Sequence, residues 1–386
     1  MRYPVRFLAA ATVAILLSPT LATAQRATDA ADRQAFFDGI QAPNWLGTDI
    51  AHTSIKRQRG GSCWSFSTVA FLESEVLRTN LEVMAALKEA KVELDLSDYY
   101  VVYWAYVEKA REYAQRKGED ARFTDGGLSH DVTWLVEKYG IVPESDYVVV
   151  EDYGAMRTEL NDVLERHAES GDWSEDAVVA EIREVLDRHL APPPETITVD
   201  GREMTPIEYA TDYLALDPGS YWEVSSYTDF PFYARGELDI PDNWWDYDGY
   251  YNVPLDAWIR TINRALDAGY PVVIDTDWGD MGASWNGAGL AVMHPVMMPG
   301  YLINQDTRQS DFAEGRTTDD HLVLAVDHRV VNGEDWYLIK NSHGTSSGRR
   351  GYVWIRGDWM AMRVLAYMVH VDAVDSSITG QFAADQ

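Results

Sequence analysis

From Gly269 onward the chain reads as strands, and before it largely as helices. YPVVIDTDW, HLVLAV, DWYLIKN and GYVWI are short runs rich in β-branched and aromatic residues, with the turn signal Asn332-Gly333 between the second and third. The first half instead repeats its apolar residues at helical spacing. Phe66, Val69, Ala70, Val76 and Leu77 do so between Ser65 and Arg78. LSDYYVVYWAYVEKAREYA follows, with Ser97 as a cap residue but no capping box, and then TDGGLSHDVTWLVEKYG, a glycine turn and a helix ending at Gly140. This order predicts an α+β domain. Residues 144–256 interrupt it with acidic amphipathic helices, the break APPPET and the aromatic stretch DNWWDYDGYYNVP. They read as an insertion in the main domain, with Trp244-Trp245 and Tyr250-Tyr251 packing inside it. No internal repeat is evident.

Residues 1–24 carry an export signal: Arg2 and Arg6, an apolar run from Phe7 to Leu17, then Ala22-Thr23-Ala24. Cleavage after Ala24 leaves one domain, 25–386, in the periplasm or outside the cell. Gln25 is not a cysteine, so no lipid anchor is expected. The apolar stretch from Gly287 to Ile303 is broken by His294, Pro295 and Pro299, which argues against membrane insertion. The mature chain sets 30 basic against 62 acidic residues, a net charge of about −32 that repels nucleic acid.

Cys63 is the only cysteine, so no intrachain disulfide and no cysteine-rich metal site can form. A lone thiol in an exported chain is either buried and inert or reactive. Cys63 follows Gly60-Gly61-Ser62 at the start of a helix, where amide donors and the helix dipole favour thiolate. Of nine histidines, His321 alone heads a strand whose hairpin partner ends in a side-chain amide, Asn341. Their midpoint is Val331, just before the turn, so bringing them together needs a longer loop or a bulge. His328 and His343 lack that placement. The histidine would move the thiol proton while the amide fixes its ring, an acyl-transfer site. Gln58 and the Cys63 backbone N–H are the candidate oxyanion donors. No zinc signature appears, and His167 and His189 read as surface residues.

QRGGSCWSF, DHLVLAVDH and KNSHGTSSGRRGYVWI together resemble papain-like cysteine peptidases. LSDYYVVYWAYVEKA, TDGGLSHDVTWLVEKYGIVPES, MTPIEYATDYLAL, YYNVPLDAWI and YPVVIDTDWGD resemble, in order, the blocks of the bleomycin hydrolase and aminopeptidase C branch, from about Ser54 to Val374. The resemblance implies the papain-like fold, a helical part with the catalytic helix beside an antiparallel strand-rich part. It implies Cys63 as nucleophile, His321 as base and acid, Asn341 as orienting amide, Gln58 as oxyanion donor, and Gly126 and Gly127 as backbone contacts to peptide substrates. No metal or organic cofactor is expected. About 38 residues separate the expected cleavage site from Cys63, too few for an inhibitory propeptide.

The sequence departs from that pattern in three places. One residue fewer separates Gln58 from Cys63, which threatens the glutamine's position. His343 stands where a tryptophan normally shields the Asn-His hydrogen bond, so weaker orientation of His321 or an extra titration is expected. The branch's aminopeptidases hold the substrate amine with a C-terminal carboxylate, whereas this chain ends in VDAVDSSITGQFAADQ; Gln386 or acidic residues of the insertion are the alternatives for that role. The sequence specifies no homo-oligomer. The expected activity is removal of N-terminal residues. An open-cleft endopeptidase or dipeptidyl peptidase, and a silent peptide-binding protein, are the alternatives.

Overall fold

A computed structural model describes residues 31–32, 34–45, 47–147, 152–279, 283–286, 289–293 and 300–383. The expected export signal lies outside these residues. The chain divides into a short unit, Met1–Ala42, in which residues 34–38 are helical, and a large one, Pro43–Gln386. The large unit carries the site.

Its first layer is helical: α1 (Cys63–Thr79), α2 (Leu81–Ala90), α3 (Asp98–Gln115) and α4 (Ser129–Tyr139). Helix α1 is buried on nearly every face from Cys63 to Val76. Its polar side chains therefore need internal partners. Glu73 finds Lys56 at 3.3 Å and the Leu96 N–H at 2.8 Å, and Ser65 donates to the Asp98 carbonyl at 2.7 Å. Ser97 precedes α3 as expected, yet its hydroxyl makes no cap hydrogen bond and is buried without a partner.

The second layer is a mixed ten-stranded sheet. After a small hairpin of β1 (Ile197–Val199) and β2 (Arg202–Met204) come β3 (Tyr221–Ser225), β4 (Arg235–Gly236), β5 (Tyr250–Asn252), β6 (Val272–Thr276), β7 (Ala283–Asn286) and β8 (Leu290–Met293). The series ends with β9 (His321–Val331), β10 (Glu334–Lys340), β11 (Tyr352–Arg356) and β12 (Val364–His370). The spatial order is β4-β5-β3-β12-β6-β9-β10-β11-β8-β7, parallel only at β3–β5 and β8–β11. This is the expected α+β architecture.

Side chains alternate across β6 and β9. Val272, Ile274, Val323 and Ala325 join Trp258, Ile262 and Ala265 in one core cluster. The opposite face, with Leu322 and Leu324, meets α1: Ser67 donates to the Leu322 carbonyl at 2.6 Å. Asp275 is paired with Leu322 and so stands on this second face.

Within the insertion, α5 (Tyr153–Ser170) and α6 (Glu175–Leu190) are the expected acidic helices. Asp187 of α6 accepts a hydrogen bond from Tyr103 of α3 at 2.7 Å. His167 is not a surface residue: it is buried, with Nδ1 at 2.8 Å from the Asp172 carbonyl. Acidic neighbours in sequence masked its place on the apolar side of α5, where Leu160, Val163 and Leu164 are also buried. Trp244 and Trp245 donate to the two carboxylate oxygens of Asp131, at 2.9 and 2.7 Å, which seats the aromatic stretch on α4.

Candidate active site

The turn leading into Cys63 is set by close approach. Gly60 has φ of +61°, and a Cβ there would lie 2.1 Å from the Tyr153 ring. Gly61 donates its N–H to Asp125 at 2.8 Å, and the Trp64 indole donates to the Asp125 carbonyl at 2.9 Å. The glycine pair before Cys63 and the loop carrying Gly126-Gly127 are thus joined through Asp125 and Trp64. Helical hydrogen bonding begins at Phe66 N–H to Ser62, 3.2 Å, so the Cys63 N–H precedes the ladder and is available to a ligand.

Across from this helix, the hairpin resolves the register problem. Asn332 and Gly333, with φ of +53° and +84°, make the two-residue turn, and the ladder slips by one residue between Leu338 and Ile339. A bulge, not a longer loop, brings Asn341 to His321. His321 Nε2 lies 2.9 Å from Asn341 Oδ1, so Nε2 carries the proton it donates and Nδ1 is left as the base. The Cys63 sulfur lies against the backbone of Leu322, the next residue.

The expected loss of shielding does not occur. His321 and Asn341 are 5% and 2% exposed. His343 stacks on the His321 ring at 4.6 Å, and Trp278 packs against it at 5.3 Å. Burial pushes His343 below its ordinary value, with the Arg57 charge adding to the effect, so the stacked ring is neutral. His328 is engaged elsewhere, by Asp267 and Asp335 at 2.8 and 2.9 Å.

Burial pushes the Cys63 thiol up to about 12, with the charges of Asp242 and Asp275 adding to it, against backbone hydrogen bonding from Leu322 and Trp64. It pushes His321 down to about 4. Both shifts favour the uncharged forms, and desolvation works against the pull of the helix start toward thiolate.

Gln58 reaches the site through a short antiparallel pairing of residues 56–58 with 342–344: its N–H donates to the Ser342 carbonyl at 2.8 Å, and Gly344 N–H donates to Lys56 at 3.1 Å. Its Oε1 accepts from the Ser342 hydroxyl, while Nε2 donates to the Gly60 carbonyl at 3.0 Å. One amide hydrogen is thus spent inside the loop and one remains. Gly126 accepts from Lys109 and is covered by the Asp242 carboxylate, which a Cβ at Gly126 would meet at 2.1 Å. Gly127 packs on the Trp64 ring. Sequence reasoning missed Asp242, Asp275 and Asp319, which gather beside these residues; among 62 acidic residues nothing singled them out. Among the described residues no group of three or more His, Cys, Asp or Glu is placed to hold a metal ion.

A helix-starting cysteine set against a histidine–asparagine pair at the ends of two adjacent strands defines a papain-like cysteine peptidase. The chain belongs to the Peptidase C1-like family, whose profile matches residues 20–385. It is 23% identical over 368 residues to aminopeptidase C of Listeria monocytogenes, covering 81% of this chain and 79% of that one. It is 24% identical over 376 residues to bleomycin hydrolase of Mus musculus, covering 82% and 79%. Its fold superposes on the crystal structure of PepW from Lactobacillus rhamnosus with a TM-score of 0.74 at 18% identity, over 95% of this chain and 92% of that one.

Proposed function

We propose that this protein is an exported cysteine aminopeptidase that removes residues from peptide N-termini through a thioester on Cys63. The observation that carries the reading is the buried 2.9 Å contact between His321 Nε2 and Asn341 Oδ1, which leaves Nδ1 as the base. In attack, the Cys63 proton passes to His321 Nδ1 as sulfur bonds to the substrate carbonyl carbon. The oxyanion takes the Cys63 N–H and the remaining Gln58 amide hydrogen, each donor contributing about 3 kcal/mol. Collapse breaks the peptide bond, and the leaving amine takes the proton from His321. Water, deprotonated by the same ring, then hydrolyses the thioester.

Relatives named aminopeptidase C and aminopeptidase G support the exopeptidase reading. Residues 1–24 motivate export, which fractionation of cells expressing the full chain tests: retention in the cytoplasm with residues 1–24 intact sinks it. For the activity, matched fluorogenic peptides with free and acetylated N-termini are compared, with Cys63→Ala as control. Cleavage of the free form, lost in the variant, is expected. Equal cleavage of both forms makes the enzyme an endopeptidase, and turnover unaffected by Cys63→Ala removes the mechanism.

A further inference from the structure

Three carboxylates gather near the nucleophile, Asp242 among them within reach of the charges of Lys109 and Arg122. Asp275, on the α1-facing side of β6, is 5% exposed and neither of its oxygens has a hydrogen-bond partner. Asp319, two residues before His321, has one oxygen buried and unpartnered, while the other accepts the Asp242 N–H at 3.1 Å. Asp242, from the insertion, lays its carboxylate on Gly126. The charges of Asp242 and Asp319 act on Asp275, that of Asp242 acts on Asp319, and those of Asp242 and Asp275 act on Cys63.

The nearby cations are committed elsewhere. Lys109 donates to the carbonyls of Thr124 and Gly126, and Arg122 to those of Ile240, Pro241 and Asn243. Asp320 binds the backbone N–H groups of Trp278 and Gly279. A buried carboxylate oxygen without a donor is costly, so Asp275 and the unpartnered oxygen of Asp319 point to a cation that arrives with the substrate.

We propose that Asp242, Asp275 and Asp319 form an ammonium-accepting subsite that takes the substrate's free N-terminal amine. This rests on the peptidase reading above and specifies its substrate class. Covalent geometry supports the choice: the α-nitrogen of an N-terminal residue lies only about 2.5 Å from the carbonyl carbon that Cys63 attacks. An ammonium must therefore sit within a residue's width of the sulfur, on which the charges of Asp242 and Asp275 act. A lysine side chain at the second position offers the same chemistry on a longer stem, and the experiment separates the two.

Steady-state kinetics at pH 7.5 compare alanyl-, acetyl-alanyl- and acetyl-lysyl-alanyl-aminomethylcoumarin on the wild type and on Asp242→Asn, Asp275→Asn, Asp319→Asn and their pairs. The expected result is a KM for the alanyl substrate raised at least tenfold, with kcat within about threefold and the preference for a free amine lost. Stoichiometric iodoacetamide labelling of Cys63 verifies that each variant retains its site. An unchanged free-to-blocked ratio in every variant overturns the proposal and leaves the peptidase reading standing. Dependence of the acetyl-lysyl substrate alone on these residues overturns the assignment to the N-terminal amine. Calorimetry on Cys63→Ala reads the subsite without turnover: trialanine amide should bind at least tenfold more tightly than its acetylated form, and equal affinity overturns the proposal even if the peptidase reading fails.

Discussion

Ser67, one helical turn after Cys63, donates a 2.6 Å hydrogen bond to the carbonyl of Leu322, the residue that follows His321. This bond ties the helix bearing the thiol to the strand bearing the base, and both ends are buried. Ser67→Ala should lower stability by about 1–2 kcal/mol, since it leaves a buried carbonyl without its donor. It should lower kcat more than it raises KM, because the thiol–imidazole alignment loosens while the substrate contacts remain. A denaturant titration paired with steady-state kinetics reads both; a stable variant with unaltered kcat removes the positioning role.

Asn341→Ala deletes the acceptor that holds His321 Nε2. The ring can then turn or change tautomer, and kcat should fall by roughly 10- to 100-fold, less than the loss of the base itself. Asn341→Gln, one methylene longer at a 2%-exposed site, should not restore it. Rescue by glutamine would show that a loosely placed amide is enough.

As pH falls, a proton on His343 opposes one on His321 and so holds His321 lower than burial alone would. In His343→Phe the stack is retained and that charge is gone, so His321 should bind its proton more readily. Because the base acts only when unprotonated, the acid limb of kcat/KM should move to higher pH. A limb that stays put in the pH profile would mean that the stacked ring is electrically silent.

Burial and mutual repulsion push Asp242 up to about 6, Asp319 up to about 7, and Asp275 well above the ordinary carboxylate range. Lys109 and Arg122 oppose this at Asp242, while Asp125, Asp131, Asp320 and Glu223 face the cluster and add to it. A protonated carboxyl does not neutralise an ammonium, so KM for a free-amine substrate should fall as pH rises through about 6 to 7 and rise again as the amine itself deprotonates near 8. Acetylated substrates should show neither change. The same groups have raised values in the folded state, so the stability they contribute is full below the ordinary carboxylate value and is lost as pH rises through the folded values. Asp275→Asn should therefore melt higher than wild type at pH 8 and alike at pH 4. A variant that melts lower at pH 8 would make the cluster structural.

Much of this site could be read in the sequence because its parts announce themselves locally. Cys63 sits at a helix start marked by glycines, and His321 and Asn341 sit at strand ends marked by a hairpin turn. What sequence could not fix was the slip near Leu338, which depends on how the two strands pack and not on either alone. Sequence also shows the helix start at Cys63 but not the desolvation that opposes it. The direction of the Gln58 amide follows from a pairing between residues nearly three hundred positions apart. The acidic cluster joins the insertion, β6 and the segment before His321, each of which reads by itself as ordinary surface.

The one-residue slip in the His321–Asn341 hairpin acts as a parity constraint on the gene. If Val326, which the slip leaves unpaired, were to enter the ladder, every later side chain of one strand would turn over relative to the other and carry Asn341 to the face opposite its histidine. Residues added at the Asn332-Gly333 tip lie beyond the slip and shift nothing on the catalytic side. Length variation should therefore be tolerated at the tip of this hairpin, whereas a change of pairing register at the slip is not, although no residue at the slip touches a substrate.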